Sequence, residues 1–141
     1  MKKLINFDFL PASQDFGLLL LRGWLGLSMF FLHGLAKFQN FGATVANFRD
    51  KMGIPTVFGA CAVFAESLCA ILLVLGLATR FAAIFLAVTM SVAFYKVHDM
   101  VLIQTKGGPP SGELAFVYLG GFLALFFAGA GKFSVDAKLF R

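Results

Sequence analysis

The sequence predicts an all-α, polytopic membrane protein: a four-transmembrane-helix bundle with a short interfacial amphipathic helix between helices 1 and 2. Two observations indicate this fold class. The chain is 60% hydrophobic and only 13% charged, whereas a soluble domain is about half apolar and about a quarter charged. The apolar residues also form four segments that approach the length of a bilayer-spanning helix. Residues 1–141 are therefore expected to form a single membrane domain.

The four predicted spans cover residues about 16–36, 56–76, 81–97 and 113–130. The first corresponds to roughly 30 Å of helix, which matches the hydrocarbon core of a bilayer. The third is short when only its apolar residues are counted, and we expect it to extend because the long side chain of Lys96 can reach the interface. The connection at 76–80 is so short that the second and third spans must form an antiparallel hairpin.

The mixed segment between the first two spans has the pattern of an amphipathic helix. Its large apolar residues recur at spacings of four, three and four, which places them on one helical face; they are Phe41, Val45, Phe48 and Met52. The charged residues 49–51 lie mostly off that face. We therefore predict a short helix that rests in the membrane interface. Further along the chain, Ser134 is expected to cap a short terminal helix.

Most Lys and Arg residues lie outside the apolar segments, where they suit anionic lipid headgroups, so the net charge of +5 does not indicate a nucleic-acid partner. With four spans, both termini and the 76–80 turn lie on one side of the membrane. That side has a slight excess of Lys and Arg, to which Lys2, Lys3 and Arg141 contribute. By the positive-inside rule, this excess predicts cytoplasmic termini.

The two cysteines, Cys61 and Cys69, lie eight residues apart in the second span. On one helix this separation is about 12 Å, which is too far for a disulfide within the chain, and the spacing is not that of a CxxC motif. We expect two buried, unreactive thiols. No metal site is expected either, because His and Cys residues do not occur at metal-ligand spacing.

Arg22, His33 and Glu66 are unusual because they lie within apolar segments. A charge in mid-membrane costs about 2.5–3.5 kcal/mol on insertion scales, so such residues usually pair in the bundle interior. Counted along the helices, Arg22 lies about 9 Å and Glu66 about 15 Å from the same membrane surface. We therefore predict an Arg22–Glu66 ion pair. It has two interpretations: a packing lock that fixes the register of the helices, or a direct role in binding or proton handling.

A polar pocket is predicted at the end of the bundle that carries the two long connections, with Arg22 and Glu66 as its floor. His33 follows Arg22 by eleven residues, close to three helical turns, so the two share a face. The candidate pocket residues are Arg22, His33, Lys37, Glu66, His98 and Glu113; none is assigned a catalytic role. In the alternative interpretation, His33 is an interfacial histidine, Lys37 is a headgroup anchor, and the last two are ordinary polar residues at loop ends.

Three motifs resemble the DoxX family of bacterial membrane proteins. The first is the run from Arg22-Gly23 to His33-Gly34-Leu35-Ala36-Lys37, which resembles the family's opening helix. The second runs from Glu66 to Gly76-Leu77-Ala78-Thr79-Arg80, and the third is the ending from Gly129 to Asp136. Together the motifs cover most of the chain. One departure is the segment Ser67-Leu68-Cys69-Ala70, because family members often carry glycine just after the glutamate.

The resemblance implies a four-helix protein of the bacterial inner membrane. Some relatives are linked to thiosulfate oxidation coupled to quinone, and others to membrane oxidoreductase complexes that handle thiol or oxidative stress. The function expected from the resemblance is that of a subunit of a quinone-linked oxidoreductase or redox system. Such a subunit would need no intrinsic cofactor, and it would use quinone as its ligand and a soluble or membrane oxidoreductase as its partner.

In this interpretation Arg22 orients a carbonyl oxygen or an anion through its forked donors, while His33 or Glu66 handles protons. One alternative is a small-ligand binding or transport protein, which would need to form a homo-oligomer for transport. The other is a non-catalytic assembly subunit of a membrane complex. Whether the chain is itself an enzyme stays open at this point.

Overall fold

The computed structural model describes residues 13–104, 106–108 and 110–140. The regular structure of this part is helical, without strands. We number its helices in chain order: α1 Gln14–Gln39, α2 Phe41–Met52, α3 Thr56–Leu75, α4 Thr79–Val97, α5 Glu113–Ala128 and α6 Val135–Phe140. Of these, α1, α3 and α4 are long and apolar enough to cross a membrane, and α5 is a shorter apolar helix. The all-helical membrane fold is thus confirmed; Lys2, Lys3 and Arg141 lie outside the described residues.

The helix ends follow from local sequence. The N-terminus of α1 is capped by Ser13, whose hydroxyl oxygen accepts a hydrogen bond of 3.2 Å from the Phe16 amide. The C-terminus of α3 is followed by Gly76 at φ +68°, a left-handed conformation that glycine adopts without strain. The predicted cap of the terminal helix is confirmed, because the Ser134 hydroxyl accepts a hydrogen bond of 3.1 Å from the Ala137 amide.

The bundle core lies between α1, the C-terminal half of α3, α4 and α5. Here α4 packs along α5, and α1 packs along the C-terminal half of α3. The large side chains buried at this centre are Met29, Leu73, Leu86, Phe122 and Leu125. On the outside, Trp24, Leu32 and Phe127 are between 70% and 79% exposed. An outer surface this apolar is typical of a protein solvated by lipid, which agrees with a multi-pass membrane protein.

The predicted Arg22–Glu66 ion pair does not form, and Arg22 instead joins three segments of the chain through backbone carbonyls. Arg22 is 1% exposed, and its guanidinium donates to the carbonyl oxygens of Leu73 (at 3.4 Å), Val74 and Phe133. The first two belong to the last turn of α3, whose carbonyls have no partner within the helix. The C-terminal end of a helix also carries partial negative charge, which favours a cation.

The ion pair was predicted from an assumption about depth that the structure corrects. We assumed that the start of the first span and the end of the second lie level with each other at one membrane surface. In the structure, Arg22 lies beside the last turn of α3, so Glu66 is about 11 Å away along the helix axis. The contacts of Arg22 therefore match the structural interpretation, in which the side chain fixes how the helices pack.

The C-terminal segment closes the same end of the bundle. The carboxylate of Asp136 accepts hydrogen bonds from the backbone amides of Ala78 (2.7 Å) and Thr79 (2.9 Å), at the start of α4. In return, the Asp136 amide donates to the Gly76 carbonyl oxygen at 2.9 Å. No side chain within α4's own N-terminal turn caps these amides. Asp136 therefore caps α4 from a distant part of the chain.

The Asp136 cap is expected to make stability pH-dependent. Burial acts to raise the pKa of the Asp136 carboxyl, but the hydrogen bonds from Thr79 and Ala78 and the charge of Arg22 outweigh it and hold the pKa below its usual range. A carboxylate with a lowered folded-state pKa stabilises the fold above its unfolded pKa, and this contribution is lost as the pH falls through the folded pKa. We expect Asp136→Asn to be less stable than wild type at pH 7, by about 1–2 kcal/mol. The difference should shrink below about pH 4.

Unfolding in detergent micelles, followed by circular dichroism between pH 7 and pH 3, measures this difference. The control is Asp99→Asn, which removes an exposed carboxylate far from α6 in sequence. A stability difference between wild type and Asp136→Asn that stays constant over this pH range would show that the Asp136 charge does not support the cap.

Candidate functional site

A cavity of about 1310 Å³ lies at the end of the bundle opposite the 76–80 turn. Its walls come from α1, α2, α3, α4 and the start of α5. This is the end where the sequence predicts a polar pocket. Four of the six candidate residues line the cavity, namely His33, Lys37, Glu66 and His98. Arg22 and Glu113 are not among its lining residues, so Arg22 does not form the predicted floor.

Glu66 forms an ion pair with Lys37 at the cavity wall. The Glu66 carboxylate is 4% exposed and accepts a hydrogen bond from the Lys37 ammonium, which is 29% exposed. The ammonium also lies 5.6 Å from the centre of the Phe48 ring on α2, within the range of a cation–π interaction. A carboxylate this buried needs a cation close by. Lys37 supplies it, whereas the sequence predicted Arg22 for this role.

Three π-helical turns surround the cavity, and the sequence did not predict them. They are Phe30–Gly34 in α1, Ala65–Cys69 in α3 and Ala93–Val97 in α4. The first two contact each other and carry His33 and Glu66. Such turns are rare and occur frequently at functional sites. Their coincidence at one end of the bundle supports the choice of this cavity as the candidate site.

Gly34 allows the π-turns of α1 and α3 to touch. A Cβ atom at this position would lie 2.0 Å from the Glu66 carbonyl oxygen and 2.6 Å from its carbonyl carbon. Backbone atoms at that distance cannot move aside without shifting the helix, so only glycine fits there. The close approach also brings Lys37, one turn further along α1, within reach of the Glu66 carboxylate.

Tyr118 on α5 is a cavity residue that the sequence reasoning missed. It is 5% exposed, and its ring stands perpendicular to that of His33, with 6.0 Å between ring centres. Its hydroxyl donates to the Ser28 hydroxyl at 2.8 Å, and Ser28 donates to the Trp24 carbonyl oxygen at 2.7 Å. A tyrosine in an otherwise apolar span is the signal that could have identified it, because a buried phenol needs a hydrogen-bond partner.

His98 and Glu113 lie at loop ends, and the structure does not bring them into contact with the Lys37–Glu66 pair. The His98 ring nitrogen Nδ1 is 3.1 Å from the Pro110 carbonyl oxygen, which ties the two sides of the 98–112 loop together. Glu113 is exposed in the first turn of α5, where its charge favours the helix N-terminus. Their contacts in the structure are those of ordinary polar residues at loop ends, as in the alternative interpretation.

The two cysteines occupy different environments. Cys69 is buried, as expected, but Cys61 is exposed and lines the cavity. The expectation of two buried thiols is therefore wrong for Cys61. The reason is that the N-terminal half of α3 packs mainly on α2, with a smaller contact to the end of α1, and most of its other side chains are exposed.

The cavity is lined mostly by apolar surface, and the Lys37–Glu66 pair and His33 are among the polar side chains that interrupt it. Lys37 can donate a hydrogen bond, Glu66 can accept one, and His33 can do either according to its protonation. Across residues 13–104, 106–108 and 110–140, no three His, Cys, Asp or Glu side chains converge as a metal site requires. The arrangement suits an uncharged, mostly apolar molecule with oxygen atoms that hydrogen-bond to the pair.

The fold and the site thus define a multi-pass helical membrane protein with an ion pair at the wall of an open cavity at one end of the bundle. The DoxX family model matches residues 17–99. The chain belongs to the DoxX family, as its motifs predicted.

Two relatives support the family assignment. An uncharacterized protein of Haemophilus influenzae (strain Rd) is 37% identical over 118 residues, which cover 80% of this chain and 84% of the relative. A Bacillus subtilis (strain 168) protein named "Putative oxidoreductase CatD" is 35% identical over 107 residues, which cover 76% of this chain and 73% of the relative. No solved structure matches the chain significantly.

Proposed function

We propose that the chain is a membrane subunit of a quinone-linked oxidoreductase or redox system, and that the Lys37–Glu66 cavity binds the quinone ring. The observation that carries the proposal is a buried carboxylate–ammonium pair at the wall of a large apolar cavity. A quinone ring is apolar on both faces and carries two carbonyl oxygens, so it matches such a site. The name of the Bacillus subtilis relative, "Putative oxidoreductase CatD", supports the same class of function.

The proposal gives each polar group a role. The Lys37 ammonium donates to a quinone carbonyl oxygen, a role that the sequence assigned to Arg22. Reduction of a quinone to a quinol takes two electrons and two protons. A partner oxidoreductase delivers the electrons, and Glu66 and His33 stand where each can take up a proton and pass it to a ring oxygen. The chain is then a binding and proton-handling subunit and needs no redox cofactor of its own.

The proposed topology has four spans in the bacterial inner membrane, with both termini in the cytoplasm. The fourth span is α5, whose 16 residues rise about 24 Å, somewhat less than a bilayer core. Its outward side chains Leu114, Phe116, Val117 and Phe127 are each more than half exposed and apolar, which suits lipid. We place α2 in the membrane interface, with Val45 and Phe48 packed on Gly59 of α3 and its charged residues exposed.

A ligand titration of the purified protein tests the proposal. The test variant is Lys37→Met with Glu66→Leu, which replaces both partners by apolar groups of similar size. Such a replacement of a buried ion pair is usually close to neutral for folding. We expect the double variant to fold and to bind decylubiquinone at least about tenfold more weakly than wild type, because about 1.4 kcal/mol of hydrogen bonding to the ring is lost.

The matched control is Arg49→Met with Asp50→Leu, which removes an exposed ion pair on α2 whose nitrogen–oxygen distance is 2.8 Å. This control should bind the quinone like wild type. Absence of saturable quinone binding by wild type would refute the proposed ligand. Equal binding by wild type and the Lys37/Glu66 variant would show that the ring does not lie at this pair.

Ligand transport is a second candidate function, and the size of the cavity favours it. Its volume of about 1310 Å³ exceeds the range of about 300–1,000 Å³ that is common for small-molecule pockets. A transport protein would move a labelled amphiphile into liposomes without a redox partner, whereas the quinone-linked subunit would not.

A further inference from the structure

The cavity has a side opening between the N-terminal half of α3 and the C-terminal half of α4. On α3, Phe58 and Cys61 line the cavity and are exposed. On the facing stretch of α4, Val88 and Tyr95 also line the cavity and are 56% and 57% exposed. Residues that face each other across two packed antiparallel helices would bury one another. Here they do not, so the two helices are separated along this stretch.

The opening has a physical cause in the way α3 is packed. Its C-terminal half packs on α1 and α4, but its N-terminal half packs on α2. Gly59 makes that second contact close, because a Cβ atom there would lie 3.3 Å from the Phe48 ring. The change of partner occurs at the π-turn Ala65–Cys69. The gap ends where the rings of Phe64 and Phe85 meet, with 6.4 Å between their centres.

The side opening faces lipid, whereas helix α2 borders the cavity at its other side. Thr44, Asn47 and Phe48 of α2 line the cavity. With α2 in the membrane interface, as proposed above, it covers the cavity toward the aqueous side, where Lys51 and His98 also border the cavity. The gap between α3 and α4 is bordered mainly by apolar side chains, and these lie within segments long and apolar enough to span the bilayer.

We infer that the ligand enters this cavity sideways from the lipid through the α3–α4 gap, and that it is a two-part amphiphile whose long apolar tail stays in the gap. This inference rests on the proposed function, because it takes the Lys37–Glu66 pair as the site of the polar head. Cys61 precedes Glu66 on α3 by five residues, about 7.5 Å along the axis. Both residues line the same cavity, so the long substituent of a ring held at the pair can reach the gap.

Two fully substituted benzoquinones, one with a long tail and one without, provide the test. Decylubiquinone carries a ten-carbon chain, whereas duroquinone has four methyl groups and no tail. Both rings are fully substituted, so neither has an open position to which a thiol can add. The variant Val88→Trp fills the gap, and its control is Val117→Trp on α5, a valine that is 59% exposed but is not a cavity residue.

We expect Val88→Trp to slow the association of decylubiquinone by at least about tenfold while changing duroquinone affinity by less than about twofold. Val117→Trp should change neither the association of decylubiquinone nor the affinity for duroquinone. Unchanged decylubiquinone association with Val88→Trp overturns the side entrance, and if wild type still binds both quinones, the proposed function stands. If wild type binds neither quinone, the proposed function fails and the entrance fails with it.

The exposed thiol of Cys61 gives a second readout of where the tail lies. Bound decylubiquinone should protect Cys61 from N-ethylmaleimide, and bound duroquinone should not. Buried Cys69 serves as the internal control and should stay unlabelled in folded protein. Equal protection of Cys61 by a decyl detergent that has no quinone ring would overturn the inference, since any lipid chain would then occupy the gap.

Discussion

Arg22→Met is expected to lower the free energy of unfolding by about 3 kcal/mol or more. The substitution removes the donor to the carbonyl oxygens of Val74 and Phe133. The Leu73 carbonyl oxygen loses one of its two donors and keeps the hydrogen bond from the Gly76 amide. Each unsatisfied buried acceptor costs about 1–3 kcal/mol. Equilibrium unfolding in mixed micelles with increasing sodium dodecyl sulfate, followed by circular dichroism, measures the change.

Two further variants make the Arg22 result specific. Arg22→Lys keeps the charge but has a single ammonium in place of the planar guanidinium. Its free energy of unfolding should therefore lie between those of wild type and Arg22→Met. Arg49→Met removes an arginine whose partner Asp50 is also exposed, and its effect should stay within about 0.5 kcal/mol. Wild-type stability in Arg22→Met would mean that the guanidinium does not hold the three segments together.

Gly34→Ala is expected to force α1 and α3 apart at the candidate site. The added methyl would lie 2.0 Å from the Glu66 carbonyl oxygen, and overpacking of this kind costs about 1–3 kcal/mol or more. The separation should also draw Lys37 away from the Glu66 carboxylate. We therefore expect both a loss of stability of about 3 kcal/mol and weaker quinone binding.

Gly23→Ala is the matched control for Gly34→Ala. A Cβ atom at Gly23 would meet no other atom within 4 Å. Alanine is also the better helix former, by about 0.5–1 kcal/mol, so this variant should be at least as stable as wild type. If Gly34→Ala behaves like Gly23→Ala, the close contact between the two π-turns is absent in the membrane.

Much of the fold could be predicted from the sequence because its causes are local. The lengths of the apolar segments predicted the long helices, and the spacing of Phe41, Val45, Phe48 and Met52 predicted α2. The axial offset between α1 and α3 could not be predicted in that way, because the length of an apolar segment does not determine its depth relative to a neighbouring helix. The informative residues were Gly26 and Gly34, which lie eight positions apart and both approach the α3 backbone closely. Small residues at multiples of four mark such contacts.

The candidate site was predicted only in part, again because the sequence does not specify the relative depth of the helices. Polar residues in apolar segments are few, so Lys37 and Glu66 could both be named, but their pairing depends on the relative depth of two helices. The three π-turns could not be predicted, because no simple sequence pattern marks a π-helical turn. Tyr118 was missed because charge, and not hydrogen-bonding capacity, was used to select residues within the spans.

The contacts of Arg22 also have a consequence for biosynthesis. The chain is made from its N-terminus, and Arg22 precedes its acceptors Val74 and Phe133 by 52 and 111 residues. A helix that enters the bilayer with an unmatched guanidinium is penalised by about 2.5–3.5 kcal/mol. The first span therefore depends on residues that the ribosome has not yet synthesised, and it can reach its final packing only after Phe133 has been made and has left the ribosome.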